Sequence, residues 1–350
     1  MEASAVLQHL GFAALLALLS ACVVRLMIAF PILDQPNHRS AHRNPTPRGG
    51  GLGVVVAFVA GMLVLYLSAD YARIAEAQFI GVILAAVAIA AVALWDDVSD
   101  LSARLRLGAQ VAAALVAVGS GLVVTQVSLP WMGVVQLGWL GPVLTLAWIV
   151  GCTNAVNFMD GLDGLVGGTL LVVAAALAWI AVLHSGMFVY AAALFLVAGF
   201  AGFLPFNLNP ARIFMGDVGS QFAGFMMAVL AVAAARFDGQ HLSFLIVPLL
   251  MFGLLFDAAF TLMRRALMGE RLAEGHRTHL YQIAQRAGVA VRVVAALHWG
   301  FAAFHAALAL VFLTLPSAAK PFIILPALAV QLAWLGFVMR RMRVAGIGWR

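Results

Sequence analysis

Apolar runs long enough to cross a lipid bilayer recur about eleven times along this chain, at roughly 5–30, 51–68, 78–95, 107–125, 133–152, 164–184, 188–204, 221–235, 243–262, 293–315 and 321–339, with soft edges around 126–140. A helix needs about 20 such residues to span the hydrocarbon. Lipid offers no partner to a stray N–H or C=O, so only helices and closed barrels survive there. The runs are continuous, not alternating in strands of about ten residues, which selects helices. Composition agrees: 64% of the 350 residues are hydrophobic and 10% charged, too little polar surface to cover a core in water, where about 25% charged is usual. The expected fold class is an all-α integral membrane protein with about eleven transmembrane helices, forming one polytopic domain over 1–350. No linker, low-complexity segment or internal repeat interrupts it.

The charges lie between the runs. If the first loop is cytoplasmic, the inner segments are about 31–50, 96–106, 153–163, 205–220, 263–292 and 340–350. They hold sixteen Arg, against Arg73, Arg236 and Lys320 outside and Arg25 near the end of the first run. Positive residues stay inside, so the N-terminus is expected outside and the C-terminus in the cytoplasm. The first run is about 25 residues long, carries Glu2 where a secretory leader would be basic, and reads as a retained span. Cys22 and Cys152 sit in apolar stretches and read as packing residues, as do His9, His184, His241, His298 and His305 at spans or the outer side. With its cations placed by topology, the chain is not expected to bind nucleic acid.

Most acids share the inner side: Asp34, Asp96, Asp97, Asp100, Asp160, Asp163, Asp217, Asp257, Glu270 and Glu274. Carboxylates at a membrane boundary are costly unless paired, hydrated or metal-bound, which points to one inward-facing polar site. Asp96, Asp97 and Asp100 would share one side of a continued helix, where three like charges call for a cation or protons. A solvated helix end balanced by Arg104 and Arg106 is the plainer reading. In Asn154-x-x-Asn157-x-x-Asp160-Gly161-x-Asp163-Gly164 a polar group recurs every third residue, near one helical face, and the glycines permit tight turns. Its Asn and Asp offer hard oxygen ligands or hydrogen-bond acceptors; helix caps alone would explain one acid and one glycine. Pro205 and Pro210 break the next run. Gly216-Asp217-Val218-Gly219 then sets a carboxylate beside free N–H groups at a helix start, suited to a metal-bridged phosphate. In the first loop, Arg48 beside Gly49-Gly50-Gly51 suits an anionic head group, although positive-inside topology alone would place Arg there. His276-Arg277-Thr278-His279 could hold a phosphate or a developing charge. No Cys or further close His completes a zinc site.

Taken in order, Asp96-Asp97-x-x-Asp100, the Asn154 to Gly164 run, Phe214-Met215-Gly216-Asp217-x-Gly219-Ser220 and His276-Arg277-x-His279-Leu280 resemble the polyprenyl-phosphate N-acetylhexosamine-1-phosphate transferase family. The likeness spans nearly the whole chain, and the ordered set is far more specific than any motif in it. It implies a phosphoglycosyl transferase moving HexNAc-1-phosphate from a UDP-sugar to undecaprenyl phosphate, releasing UMP and requiring Mg2+, in the bacterial inner membrane with its site facing the cytoplasm.

Carried over by motif, Asp217 and Asn157 are the expected metal ligands and Asp96 and Asp97 the catalytic pair. Asn207, Phe214, Asp160 and Asp163 would surround the uridine and diphosphate. His276, Arg277 and His279 would hold sugar or diphosphate, and Arg48, with the Asp34 to Asn37 stretch, the lipid head. A lipid phosphate with its second pKa near 6 to 7 is largely dianionic, which favours its direct attack over prior attack by an Asp. The expected partners are UDP-N-acetylhexosamine, undecaprenyl phosphate and membrane lipid, with room for a homodimer. His276-Arg277-Thr278-His279 departs from the three consecutive His of the phospho-MurNAc-pentapeptide translocase branch. Asp34-x-Pro36-Asn37-x-Arg39-x-x-His42 and Pro45-Thr46-Pro47-Arg48 resemble the O-antigen initiating branch of lipopolysaccharide synthesis, with UDP-GlcNAc or UDP-N-acetylfucosamine as donor. The alternatives are MurNAc-pentapeptide transfer, a secondary transporter with its ionisable groups at mid-membrane, and a structural partner-binding protein that needs no acidic site.

Overall fold

The computed structural model describes residues 3–35, 45–68, 76–129, 133–236, 242–272 and 276–349. Glu2, Pro36, Asn37, Arg39, His42, Arg73, His241 and Glu274, all singled out by sequence, lie outside the described residues. The chain is an all-α integral membrane protein. Its helices are α1 (Ala3–Ala29), α2 (Gly51–Ser68), α3 (Glu76–Ser99), α4 (Ala103–Gly119), α5 (Leu140–Met159), α6 (Leu165–Leu183), α7 (Met187–Asn207), α8 (Gly216–Arg236), α9 (Ile246–Leu250), α10 (Phe252–Leu267), α11 (Leu280–Arg286), α12 (Val291–Thr314) and α13 (Ile324–Val344). Two small antiparallel ribbons accompany them: β1 (Ile32–Asp34) with β2 (Thr46–Arg48), and β3 (Gln126–Leu129) with β4 (Gly133–Gln136). Among the described residues, nine helices are long and apolar enough to cross a membrane. The other two expected runs appear as the 17-residue α4 and as α9 and α10, which are separated at Met251.

Burial runs opposite to the pattern of a water-soluble protein at the rim. α8 lies at the centre, 94% of its apolar window buried, whereas α1 and the segment containing α13 bury 22% and turn leucines such as Leu7, Leu18 and Leu325 outward. Helices packing in lipid gain little from hydrophobicity and much from close contact, which small residues allow. Gly51 of α2 and Gly219 of α8 meet backbone to backbone, and a Cβ on Gly224 would stand 2.8 Å from the Thr153 Cα of α5.

Helix ends depart from the apolar runs wherever a motif lies. The run expected over 133–152 is a helix over Leu140–Met159, because β3 and β4 pair as a ribbon in the register Gln126↔Gln136. This carries Asn154 and Asn157 into α5 and out of the loop expected at 153–163. α3 continues through Asp96 and Asp97, α8 begins before Asp217, and Pro205 sits inside the last turn of α7 instead of ending it. Asp100 has φ 46 and its side chain is 93% exposed, so it leaves the face that carries its two neighbours.

Candidate active site

The N-terminus of α8 organises the site. Gly216 adopts φ +75, and a Cβ there would meet Asp97 Oδ2 at 2.7 Å and the Gly49 nitrogen at 2.8 Å. The free N–H groups of a helix start need acceptors, and Asp97 from α3 supplies them: Asp217 N donates to Oδ1 at 3.0 Å and Val218 N to Oδ2 at 3.1 Å. These N–H groups, expected to be open to a phosphate, are therefore engaged. The 45–51 segment closes over the same turn, with Phe214 N donating to Pro47 O at 2.8 Å, Gly50 N to Phe214 O at 2.9 Å and Gly51 N to Met215 O at 2.8 Å. Close docking thus accounts for the triple glycine, in place of the head-group turn expected there. It also fixes Arg48, whose guanidinium lies 3.9 Å from Asp97 and 3.7 Å from Asp100.

Asp217 gathers side chains from three helices. Asn157 Nδ2 of α5 donates to its Oδ1 at 2.8 Å, Arg106 of α4 reaches Oδ2 at 3.5 Å, and Gln221, one turn along α8, reaches Oδ2 at 3.4 Å. Arg106 also holds Asp96 at 3.1 Å, and Leu101 N caps Asp96 at 2.7 Å. Asp96 is buried behind Asp217 and does not line the cavity. The expected catalytic pair therefore separates: Asp97 lines the cavity, and Asp96 is the Arg106 partner that the plainer reading foresaw.

The 160–164 turn and the 208–215 connector form the opposite wall. Gly164 has φ +72, and its N–H donates to Asn207 Oδ1 at 2.9 Å, while Asn207 Nδ2 donates to Ile213 O at 2.9 Å. Asp163 Oδ2 accepts from Asn209 Nδ2 at 2.8 Å and from Ala211 N at 3.0 Å. Asn207 and Asp163 border the cavity, yet these bonds fasten one loop to the other.

Between the walls is a cavity of about 400 Å³, lined among others by Arg48, Asp97, Asn157, Asp160, Asp163, Phe214, Asp217 and Arg277, large enough for part of a nucleotide sugar. Burial, followed by the charges of Asp217, Asp97 and Asp163, pushes the Asp160 carboxyl up to about 8. The two arginines carry buried Nε groups with no hydrogen-bond partner among the described residues.

The connector between α10 and α11 brings only part of the expected trio to the cavity. Arg277 lines it together with Gln282 and Gln285; His276 and His279 do not. Burial first, then the neighbouring His279 and Arg265, lowers His276 to about 4, so it is uncharged at neutral pH and its Nδ1 lies 3.0 Å from Thr278 Oγ1. His279 is buried, its Nδ1 3.1 Å from Asp257 Oδ1. Asp257 accepts the first N–H groups of α11, from Leu280 at 2.9 Å and Tyr281 at 3.0 Å, and Tyr281 Oη donates to Phe158 O at 3.0 Å. Neither histidine lines the cavity, and both are engaged by neighbours of the connector. The sequence named Asp257 only among the inner acids and Arg106 only as a counter-charge to the Asp96 cluster, and assigned neither to the site. The sole signal for Asp257 was a lone acid among apolar neighbours in Phe256-Asp257-Ala258.

Five Asp and two Arg line the cavity. An acid set so weakly offset takes up protons, as Asp160 does, or a cation. Its donors are hard oxygens, which suits a divalent cation of the Mg2+ type. Among the described residues no group of three or more His, Cys, Asp or Glu closes a coordination shell, and Asn157 turns its amide nitrogen toward Asp217. As placed, Asn157 thus donates to the carboxylate of Asp217 and presents it no oxygen.

A multi-pass membrane protein with an acidic, arginine-flanked cavity at the ends of its helices has the makings of an enzyme for phosphorylated substrates. Residues 79–235 match the model of glycosyl transferase family 4. The chain is 31% identical over 275 residues to the probable undecaprenyl-phosphate N-acetylglucosaminyl 1-phosphate transferase of Bacillus subtilis (strain 168), covering 77% of this chain and 74% of that protein. It is 31% identical over 304 residues to the decaprenyl-phosphate N-acetylglucosaminephosphotransferase of Mycobacterium leprae (strain TN), covering 79% and 76%. With the phospho-N-acetylmuramoyl-pentapeptide-transferase of Listeria monocytogenes serotype 4b (strain F2365) it shares 31% over 224 residues, 60% and 68% of the two chains. The chain belongs to the polyprenyl-phosphate N-acetylhexosamine-1-phosphate transferase family, and it is a phospho-sugar transferase. The family is in general dependent on a divalent metal.

Proposed function

We propose that this cavity transfers HexNAc-1-phosphate from a UDP-sugar, of the UDP-GlcNAc or UDP-N-acetylfucosamine type, to undecaprenyl phosphate, releasing UMP. The observation that carries this reading is the meeting of Asp97, Asp160 and Asp217 with the guanidinium groups of Arg48 and Arg277 in one cavity. A UDP-sugar brings about two negative charges and a lipid monophosphate about 1.5 to 2. At close range and reduced dielectric their repulsion amounts to several kcal/mol unless cations offset it. Mg2+, held by Asp217 with Asn157 or Asp160, would supply that offset and polarise the diphosphate.

The chain's own residues do the rest. Arg277 grips the diphosphate, Phe214 borders the uridine, and Arg48 orients the lipid phosphate at the mouth. The lipid phosphate oxygen attacks the β-phosphorus of the donor as the bond to the bridging oxygen breaks, and that oxygen leaves with UMP. Direct attack is supported by Asp97, both of whose oxygens accept backbone N–H groups; a carboxylate so engaged is a poor nucleophile. Asp97 instead sets the position of Asp217. In the cell the site would face the cytoplasm of a bacterial inner membrane, the N-terminus outside, and start an O-antigen or related envelope polysaccharide.

The names of the Bacillus subtilis and Mycobacterium leprae relatives favour N-acetylglucosamine as the sugar, and that of the Listeria relative keeps MurNAc-pentapeptide transfer as the second reading. The test is UMP release and lipid-product formation by the purified protein with undecaprenyl phosphate and a panel of UDP-HexNAc donors, with Mg2+ or with chelator. The expected result is metal-dependent product from a simple UDP-HexNAc, and a loss of at least about 100-fold in Asp217→Asn with the variant still folded. Product from UDP-MurNAc-pentapeptide alone would shift the assignment to the second reading, and near-normal turnover in Asp217→Asn would remove Asp217 from the metal site.

A further inference from the structure

Arg277 reaches the cavity from the connector between α10 and α11, and arginine side chains link that connector to the chain's last described residues. Beyond α13, Gly346 turns with φ +62, and Ile347 and Trp349 are half-buried against the core. The Trp349 ring packs on Phe260 of α10 at 6.1 Å and receives the Arg264 guanidinium 4.7 Å from its centroid. Arg264 also donates to Thr278 Oγ1 at 3.3 Å. On the other side, Arg286 donates through Nη1 to Arg277 O at 3.3 Å and through Nη2 to Gly348 O at 3.4 Å. Arg341 ties the end of α13 to Ala287 O, just past α11, at 3.0 Å. Two arginines therefore each touch the connector and the C-terminal segment, Arg264 at Thr278 and Trp349, Arg286 at Arg277 and Gly348.

We propose that Ile347–Trp349 is a strap that holds residues 276–279 in place, and that Trp349 is a positioning residue for the donor substrate, acting through Arg277. A long guanidinium side chain loses much of its freedom on gripping a diphosphate; holding its backbone beforehand reduces that loss. The strap serves the nucleotide sugar and leaves the lipid phosphate untouched, because Arg48, on the 45–51 segment, is fastened separately. The proposal rests on reading Arg277 as the diphosphate ligand, and the experiment separates the two.

Trp349→Ala, Trp349→Phe, Arg277→Ala and the Trp349→Ala/Arg277→Ala pair are compared in lipid nanodiscs. KM for the UDP-sugar, KM for the lipid phosphate, kcat and the amide hydrogen exchange of residues 276–286 are read for each. Trp349→Ala is expected to raise the KM for the UDP-sugar about ten-fold, the scale of one cation–π and packing contact, with kcat and the lipid KM within about two-fold. Exchange over 276–286 should quicken, Trp349→Phe should restore both, and Trp349→Ala should add nothing in the Arg277→Ala background. Should Trp349→Ala fail to fold, Trp349→Leu, which keeps an apolar side chain on Phe260 and removes the ring beneath Arg264, is expected to give the same KM and exchange changes. Additive effects in the double variant, equal rises in both KM values, or unchanged exchange would overturn the strap. An Arg277→Ala protein with normal KM beside quickened exchange in Trp349→Ala would instead leave the strap standing and remove the diphosphate from Arg277.

Discussion

Adjacent residues on a helix point about 100° apart, and that rotation divides the labour between Asp96 and Asp97. Asp97 looks onto the α8 start and the cavity, while Asp96 turns back to Arg106. Asp160 carries the clearest mark of its surroundings. An Asp in an unfolded chain ionises near about 4, but in the folded cavity Asp160 keeps its proton up to about 8. Without metal, the folded state therefore binds a proton that the unfolded state has lost, and stability falls as pH rises across that window before levelling off. Asp160→Asn has no such group. Its unfolding midpoint in chelator, relative to the parent protein, is expected to gain steadily from pH 5 to pH 8 and then hold. A gap that stays constant or narrows would show that Asp160 is not among uncompensated acids. Asp160, Asp163, Asn157 and Asp217 were legible in sequence because the spacing of hard-oxygen groups is local. The contacts of Arg106 with Asp217 and of Asp257 with the α11 start were not, since they cross 111 and 23 positions.

At the scale of elements, the site is a set of helix ends satisfied by other helices. α3 caps α8 through Asp97, α10 caps α11 through Asp257, and the 45–51 segment pairs with the 213–216 turn. Removing the cap at Asp97 strands two N–H groups, so Asp97→Ala is expected to cost about 1–2 kcal/mol and to slow transfer by letting Asp217 drift. The protein's unfolding midpoint and turnover are read together. An unchanged midpoint with abolished turnover would return Asp97 to a purely chemical role. Hydropathy marks how much chain suits lipid, not where a helix stops. The segment at 153–163 therefore looked like a loop, although α5 runs on to Met159. The ribbon over 126–136 was hidden for the same reason: its Val and Leu are as apolar as those of a span.

The molecule as a whole wraps an apolar bundle around α8 and brings its polar segments together at one end. The motif order and charge asymmetry were enough to expect the class of membrane protein and the family. The contribution of the C-terminal segment was not legible, because Trp349 closes on Phe260 and Arg264 only once α10 and α13 are packed. The most direct test of the central claim follows the donor's phosphorus. Incubated with undecaprenyl phosphate, Mg2+ and UDP-GlcNAc labelled with 32P at the β-phosphate, the protein is expected to move the label with the sugar into the lipid fraction while unlabelled UMP appears in solution. Label remaining in UDP beside a glycosylated lipid would mean attack at the sugar carbon, and would contradict phosphoryl transfer at this cavity.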